Sequence, residues 1–210
     1  MADAFAAPED EVLRHARAQA ERAGVRAVSP GTGAVLRLLT TLLDAKSVVE
    51  IGTGTGVSGL HLLRGMRAGG VLTTVDVEPD RQRQARECFG AAGFAPNRTR
   101  LIPGAGLEVL PRLADGGYDC VFVDVFDDGF DEEGLGVTNG GGDRSEPEAV
   151  VYLREALRLL RPGGLVCFDG VGSAGEPFLR RELARDADSW GATGALLPLG
   201  RGLLCAARGR

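Results

Sequence analysis

Apolar and polar positions follow two patterns along this chain. From residue 47 onward, short apolar runs are followed by longer segments whose apolar residues recur every three or four positions. The first pattern is typical of buried strands and the second of amphipathic helices. The predicted strands cover 47–52, 71–76, 99–103, 118–124 and 165–169, and the predicted helices cover 56–67, 79–92, 106–114, 147–160 and 176–187. Strands that alternate with helices predict a parallel sheet covered by helices on both faces.

The two ends of the chain add to this pattern. The spacing predicts a helix over 8–23, and Ser29 and Pro30 supply the N-cap and first-turn proline of a second helix. Near the other end, two short apolar runs flank the glycines of a Gly200-Arg201-Gly202 turn, which indicates a hairpin. The predicted fold class is therefore α/β, with a seven-stranded sheet that is mostly parallel and ends in a C-terminal antiparallel hairpin.

Length and composition narrow the class of protein. The 210 residues and a mean hydropathy near zero indicate one domain over 1–210, with N-terminal helices over 1–46 and a long acidic, glycine-rich loop over 125–149. The net charge of −5 argues against a nonspecific nucleic-acid binder, and no apolar run is long enough to span a membrane. The four cysteines lack metal-ligand spacing and are typical of a reducing, cytoplasmic location.

Alternating glycines follow the first predicted strand, and such residues let a ligand approach the backbone closely. One interpretation is a dinucleotide site. Gly54-x-Gly56-x-x-Gly59 satisfies the dinucleotide fingerprint, and Asp76 follows at the spacing of a ribose-binding acid.

A second interpretation includes the acid that precedes these glycines. Glu50-x-Gly52-x-Gly54-x-Gly56 is the pattern of enzymes that use S-adenosylmethionine (SAM). A carboxylate at Glu50 would repel a diphosphate, whereas it suits the α-ammonium group of SAM. The C-terminal hairpin also departs from the usual dinucleotide fold. Both features favour SAM.

Seven segments occur in a fixed order along the chain. They are VSP at 28–30, EIGTGTGVS at 50–58, LTTVD at 72–76, EVLPRL at 108–113, YDCVFVD at 118–124, LLRPGG at 159–164 and LLPLG at 196–200. Together they resemble the class I SAM-dependent O-methyltransferases of the catechol and caffeoyl-CoA type, which include the bacterial family 3 O-methyltransferases. The resemblance covers roughly 10–208. It implies a Rossmann-like sheet of seven strands with the last strand antiparallel, and a homodimer.

The resemblance also assigns residues to the cofactor. Glu50 and Ser58 would hold its methionine end, and Gly52 and Gly54 would allow its close approach. Asp76, at the end of the second strand, would accept both ribose hydroxyls.

Four further positions complete the implied cofactor site. Ala105 and Gly106 would line the adenine, and Val28 would close over the cofactor from the N-terminal segment. Asp124 ends the fourth strand, where open α/β sheets bind ligands.

The chain departs from the family at its metal site. The family pattern implies a divalent metal held by an aspartate at the position of Asp124 and by an Asp-Asn pair that ends the fifth strand. Here Asp169 is followed by Gly170, and Asp127 replaces the lysine expected to take the acceptor proton. The only lysine, Lys46, precedes the first strand. Asp124 and Asp169 are candidate ligands for Mg²⁺ or another divalent cation, and a site without metal stays open.

The segment 125–149 is longer than the family's connection at that point. Long loops in compact domains are commonly lids or binding loops. One hypothesis is a substrate lid whose Asp127 or Asp128 replaces the missing base or ligand. The alternative is an acidic insertion that faces solvent.

These observations predict a SAM-dependent methyltransferase that acts on a hydroxyl of a small aromatic or natural-product substrate, with Asp124 and Asp127 as candidate catalytic residues. Three other functions stay open: an aminopropyltransferase-like enzyme, an NAD(P)-linked oxidoreductase and an inactive SAM-binding module. The acceptor is not identified, and a hydroxylated tRNA base is one of the possible classes.

Overall fold

Seven strands form one sheet in the computed structural model, which describes residues 6–125, 148–172, 181 and 191–210. The strands are β1 (Ser47–Ile51), β2 (Val71–Asp76), β3 (Thr99–Pro103), β4 (Tyr118–Val123), β5 (Leu160–Asp169), β6 (Thr193–Leu197) and β7 (Leu203–Ala207). The helices are α1 (Glu11–Arg22), α2 (Pro30–Leu42), α3 (Val57–Gly65), α4 (Pro79–Ala91), α5 (Gly106–Val109) and α6 (Glu148–Leu159).

The strand order is β3-β2-β1-β4-β5-β7-β6. Strands β1 to β5 pair in parallel, and β7 is antiparallel to both β5 and β6. The predicted fold class is therefore confirmed, including the C-terminal hairpin. The order reverses between β1 and β4, and the carboxyl ends of strands at such a switch point are the usual ligand site of an open α/β sheet.

Side chains along the central strands alternate between two buried layers. On β1, Val48 packs with α1 to α4, whereas Val49 packs on the opposite face with α5 and α6. Each residue of a strand points to the opposite face from its neighbour. Glu50 therefore points toward the layer that contains α3, even though it is a charged residue in the middle of the sheet.

Two predicted elements differ from the structure. The helix predicted over 106–114 is divided into α5 and a 3₁₀ turn over Leu110–Arg112, because Pro111 has no N–H to continue the α-helical ladder. Strand β5 begins at Leu160 rather than 165, and its pairing with β4 shifts register between Tyr118 and Cys120. The predicted helix over 176–187, apart from residue 181, and most of the long loop lie outside the described residues.

Within the described part of the chain, none of the helices combines the length and the apolar character needed to cross a membrane.

Helices α2 and α3 approach each other closely at Gly65. A Cβ atom built there would lie 2.0 Å from Thr40 Oγ1 and 2.3 Å from the Arg37 carbonyl oxygen. Thr40 is itself fully buried and donates to the Leu36 carbonyl at 2.9 Å. Glycine at 65 is therefore required by packing between helices.

Replacing Gly65 with alanine should lower the free energy of unfolding by about 1–3 kcal/mol, because the added methyl overpacks a backbone contact. Gly90→Ala in α4 is the matched control, since its Cβ would meet no atom within 4 Å. This control should raise the free energy of unfolding by about 0.5–1 kcal/mol through helix propensity. Urea denaturation followed by circular dichroism measures both, and equal stability of the two variants would contradict the packing argument.

Candidate functional site

The turn between β1 and α3 is fixed by the neighbouring strand. The Gly52 N–H donates to the Val75 carbonyl at 2.9 Å, and the Gly54 N–H donates to Asp76 Oδ2 at 2.8 Å. The other carboxylate oxygen of Asp76 accepts from the Glu78 N–H at 2.9 Å. Asp76 thus holds the glycine turn at the end of β2, and each of its oxygens keeps a further acceptor site.

Glu50 lies fully buried behind the same turn. Ser58 Oγ donates to its Oε1 at 2.6 Å, and Thr74 Oγ1 donates to its Oε2 at 2.6 Å. Thr53 Oγ1 lies 2.7 Å from Thr74 Oγ1 and continues the network. Burial raises the pKa of Glu50 to about 7, against the opposing effect of the Ser58 and Thr74 hydrogen bonds. Glu50 therefore connects β1, β2 and α3 through one carboxyl group.

The glycines of the turn serve different purposes. Gly52 has φ +97°, and its Cβ would lie 2.1 Å from the Asp124 carbonyl oxygen. Gly56 and Gly59 leave room for Phe89 of α4, at 3.1 Å and 2.7 Å from the built Cβ atoms. Gly54 differs, since the nearest atom to its Cβ is a Val25 methyl at 3.6 Å. Only Gly54, among these glycines, keeps open space beside the turn.

That open space is part of a narrow cleft. The glycine turn and α3 form one wall, the α1–α2 connection forms another, and Asp124 lies at the carboxyl end of β4. The lining residues are Val25, Arg26, Ala27, Val28, Gly52, Thr53, Gly54, Thr55, Val57, Ser58 and Asp124. Val28 is buried and lines the cleft. Sequence reasoning did not identify Val25 to Ala27.

Helix α1 anchors this N-terminal wall. Arg17 donates to the Val28 carbonyl at 2.8 Å and forms an ion pair with Glu9. The Thr55 hydroxyl donates to the Ala16 carbonyl at 2.7 Å, which attaches α1 to the glycine turn itself. The connection is therefore held at both ends where it passes over the cleft.

The adenine-lining residues predicted from the sequence lie at the start of α5. Ala105 precedes the helix and is half-buried. Gly106 packs against the end of β1, where its Cβ would lie 2.6 Å from an Ile51 methyl and 2.8 Å from the Tyr152 hydroxyl. Both residues are thus near the carboxyl ends of β1 and β2, although neither lines the narrow cleft.

A second group of charged side chains lies beside the cleft. Asp124 follows β4 and Asp169 ends β5. The two strands pair in register up to Val123 with Phe168, so the two aspartates come at the same edge of the sheet. Arg201, in the β6–β7 turn, places Nη2 3.4 Å from Asp169 Oδ2 and 3.7 Å from Asp124 Oδ1. Burial raises the pKa of Asp169 above its usual value, against the opposing effect of the nearby Arg201 guanidinium.

The residues at this position do not fit a divalent cation. A guanidinium already lies beside both candidate carboxylates, and Gly170 offers no side-chain oxygen. In the ranges that the structure describes, no three acidic, histidine or cysteine side chains are grouped as metal ligands. The structure places Asp124 and Asp169 beside the same guanidinium. Asp127 lies outside the described residues.

Arg201 is the charged residue of this group that sequence reasoning did not identify. The sequence marks it only as the middle of a Gly-Arg-Gly hairpin turn. Two signals were present: a cation at the tip of a hairpin next to the fifth strand, and a glycine at 170 in place of an expected polar residue. Neither signal indicates, without the fold, that Arg201 lies close to Asp124 and Asp169.

Comparison with known proteins agrees with this architecture. Residues 5–132 match the O-methyltransferase family. A protein of Mycobacterium sp. (strain JLS) named as an O-methyltransferase is 46% identical, over 95% of this chain and 87% of its own length.

Solved structures agree as well. The O-methyltransferase TomG from Streptomyces achromogenes, in complex with SAM, superposes with a TM-score of 0.75 at 25% identity, over 99% of this chain and 94% of its own. An O-methyltransferase from Bacillus cereus in complex with S-adenosylhomocysteine (SAH) has a TM-score of 0.72 over 98% of this chain and 94% of its own, and at 22% identity it supports the fold alone. The resemblance found in the sequence is confirmed: the chain belongs to the O-methyltransferase family.

Proposed function

We propose that this protein transfers the methyl group of SAM to a hydroxyl oxygen of a small aromatic or natural-product molecule. The observation that carries the proposal is the cleft at the switch point of the sheet, where the glycine turn is backed by two acids, Glu50 and Asp76. An acidic turn favours a ligand with a cationic amino-acid tail over one with a diphosphate. The TomG structure in complex with SAM supports the same cofactor.

The proposed orientation of SAM follows the chemistry of the lining. Its amino-acid end lies at Ser58, whose hydroxyl is oriented by Glu50 behind it. Its ribose hydroxyls donate to Asp76, which keeps acceptor capacity beyond the turn it holds. Gly52 and Gly54 leave the turn without side chains.

The remaining predicted residues complete this arrangement. Ala105 and Gly106 are assigned to the adenine end, and Val28 covers the cofactor from the N-terminal side. Glu50 is buried behind Ser58 and does not line the cleft. The ammonium group of SAM would therefore contact the Ser58 hydroxyl and be attracted by the Glu50 charge behind it.

In the transfer itself, the bond from sulfur to the methyl carbon breaks to leave SAH, and a bond from the acceptor oxygen to that carbon forms. The hydroxyl proton passes to a carboxylate base, for which Asp124 and Asp127 are the candidates predicted from the sequence. Holding the three atoms in line supplies most of the rate advantage in such a reaction. Asp124 lines the cleft and pairs with Arg201, so it can orient the acceptor hydroxyl. Asp127, the second candidate catalytic residue, stays a prediction from the sequence.

The other functions considered for this chain are not favoured by its family. An aminopropyltransferase uses decarboxylated SAM, and an NAD(P)-linked oxidoreductase places a diphosphate over the turn. An inactive SAM-binding module would bind SAM without methylating any acceptor. Methyl transfer to a panel of catechols and flavonoids separates this last alternative from an enzyme.

Titration calorimetry tests the cofactor. We expect SAM and SAH to bind at one site per chain, decarboxylated SAM to bind more weakly, and NAD not to bind. Gly54→Ala should weaken SAH binding at least tenfold, because the methyl enters the cleft, while the left-handed conformation at φ +49° costs only about 1–2 kcal/mol of stability. Binding of NAD without binding of SAM or SAH would reject the proposal.

The Glu50 carboxyl predicts a pH dependence of SAH binding. Its pKa of about 7 lies above the ordinary value for glutamate, so it ionises between about pH 6 and pH 8. The ionised form attracts the ligand's ammonium, and the apparent affinity follows the ionised fraction, which rises about tenfold over this range. Affinity of the wild type should therefore increase from pH 6 to pH 8 relative to Glu50→Gln.

Calorimetry of both proteins at several pH values makes this comparison. Titration of the ligand's own amine is common to both proteins and cancels in the ratio. If the SAH affinities of the wild type and Glu50→Gln changed with pH in parallel, the charge of Glu50 would have no effect on ligand binding.

A homodimer and a cytoplasmic location belong to the same proposal. Leu38 and Leu42 lie one turn apart on α2 and are 54% and 73% exposed. This exposed apolar surface supports a contact with a second copy of the chain. Light scattering should give about twice the chain mass of 21.9 kDa, and Leu38→Glu with Leu42→Glu should give the monomer. A monomeric wild type at all concentrations would contradict the dimer.

A further inference from the structure

Three charged side chains meet where β4, β5 and the β6–β7 turn come together. The side chains of Asp124 and Asp169 are 12% and 5% exposed, and that of Arg201 is 27% exposed. Two carboxylates at adjacent strand ends would repel each other in a site with so little water. Asp169 Oδ1 is buried and has no hydrogen-bond partner among the described residues. The positive charge of Arg201 at this position offsets the repulsion between the two carboxylates.

The backbone places Arg201 at this position. The Gly172 N–H donates to the Arg201 carbonyl at 2.8 Å, and the Val171 N–H donates to the Gly202 carbonyl at 3.1 Å. Gly202 also approaches Gly172 closely, since its Cβ would lie 2.7 Å from the Gly172 nitrogen. The hairpin tip is thus attached directly to the chain that leaves β5, which fixes where the Arg201 side chain begins.

Gly170 leaves the room that the guanidinium uses. It has φ +79°, and a Cβ atom there would lie 3.1 Å from both Cζ and Nη1 of Arg201 and 3.2 Å from Nη2. A larger side chain at 170 would displace the guanidinium. The asparagine that the family pattern places at this position would therefore compete with Arg201 for one space.

We propose that the Arg201 guanidinium takes the place of the divalent cation between Asp124 and Asp169, so that this chain binds its acceptor beside a built-in cation and needs no metal. The role toward the acceptor rests on the function proposed above, whereas the occupancy of the cation position does not. Arg201 acts directly on the acceptor in this scheme. Its N–H donors hold the acceptor oxygen, and its charge favours that oxygen as it loses its proton.

A guanidinium differs from a metal ion in ways that can be measured. It stays charged at all working pH values, and a chelator does not remove it. It also repels a second cation, so the wild-type site should bind divalent ions poorly although it contains two carboxylates.

Binding of Mn²⁺, measured by electron paramagnetic resonance on the full-length chain without SAM, tests the proposal. The wild type and Asp169→Asn should bind Mn²⁺ equally weakly, with no site that depends on Asp169. The double variant Gly170→Asn with Arg201→Ala removes the cation and supplies an amide oxygen. It should bind one Mn²⁺ per chain at least tenfold more tightly than the wild type, and adding Asp169→Asn should abolish this gain.

Two results would overturn the proposal. One is a wild-type Mn²⁺ site that Asp169→Asn removes. The other is a double variant that has the circular dichroism spectrum of the wild type and still gains no Mn²⁺ site. Should the double variant not fold, the wild-type comparison with Asp169→Asn decides alone.

Methyl transfer gives a second readout. EDTA should leave wild-type turnover unchanged and should inhibit turnover of the double variant in Mn²⁺. The Mn²⁺ titrations contain no SAM, so a failure of the chain to bind SAM would reject the proposed function without affecting them.

Discussion

The candidate site depends on the hydrogen bonds that two acids make beneath the glycine turn. Glu50 joins Ser58 of α3 to Thr74 of β2, and Asp76 accepts the N–H of Gly54. A hydrogen bond to a charged group contributes about 1.5–3 kcal/mol, and leaving its buried partner unsatisfied costs a similar amount. These hydrogen bonds therefore stabilise the arrangement of the turn in which Gly54 lines the cleft.

The sequence predicted the sheet well because strand and helix periods, and the turn residues between them, are local properties. The strand over 71–76 and the switch from parallel strands to a hairpin were both correct. The start of β5 was not, since the extra residues before 165 pair with β4 through a register shift that only the assembled sheet can define. Helix α5 ends before Pro111 because proline has no N–H to continue the helix, and this local reason is present in the sequence.

The sequence indicated the individual residues of the candidate site but not the contacts between them. Glycines and acids at strand ends indicated a cofactor turn. The alternation of side chains that puts Glu50 behind Ser58 follows from β1, but their 2.6 Å hydrogen bond requires the position of α3. Arg201 is 32 residues from Asp169 along the chain, and their contact depends on how the hairpin returns to β5. Contacts of this kind are set by tertiary structure and have no local sequence signal.

The two parts of the site share Asp124, which lines the cleft and also pairs with Arg201. Methyl donor and acceptor would thus meet at one carboxylate, with the fixed cation on the acceptor side. A crystal structure of the protein grown with SAH and MnCl₂, with anomalous data to locate manganese, tests this account most directly. The account predicts SAH in the cleft with its ribose at Asp76, and Arg201 between Asp124 and Asp169 without a manganese peak. SAH bound elsewhere, or manganese between the two aspartates, would contradict it.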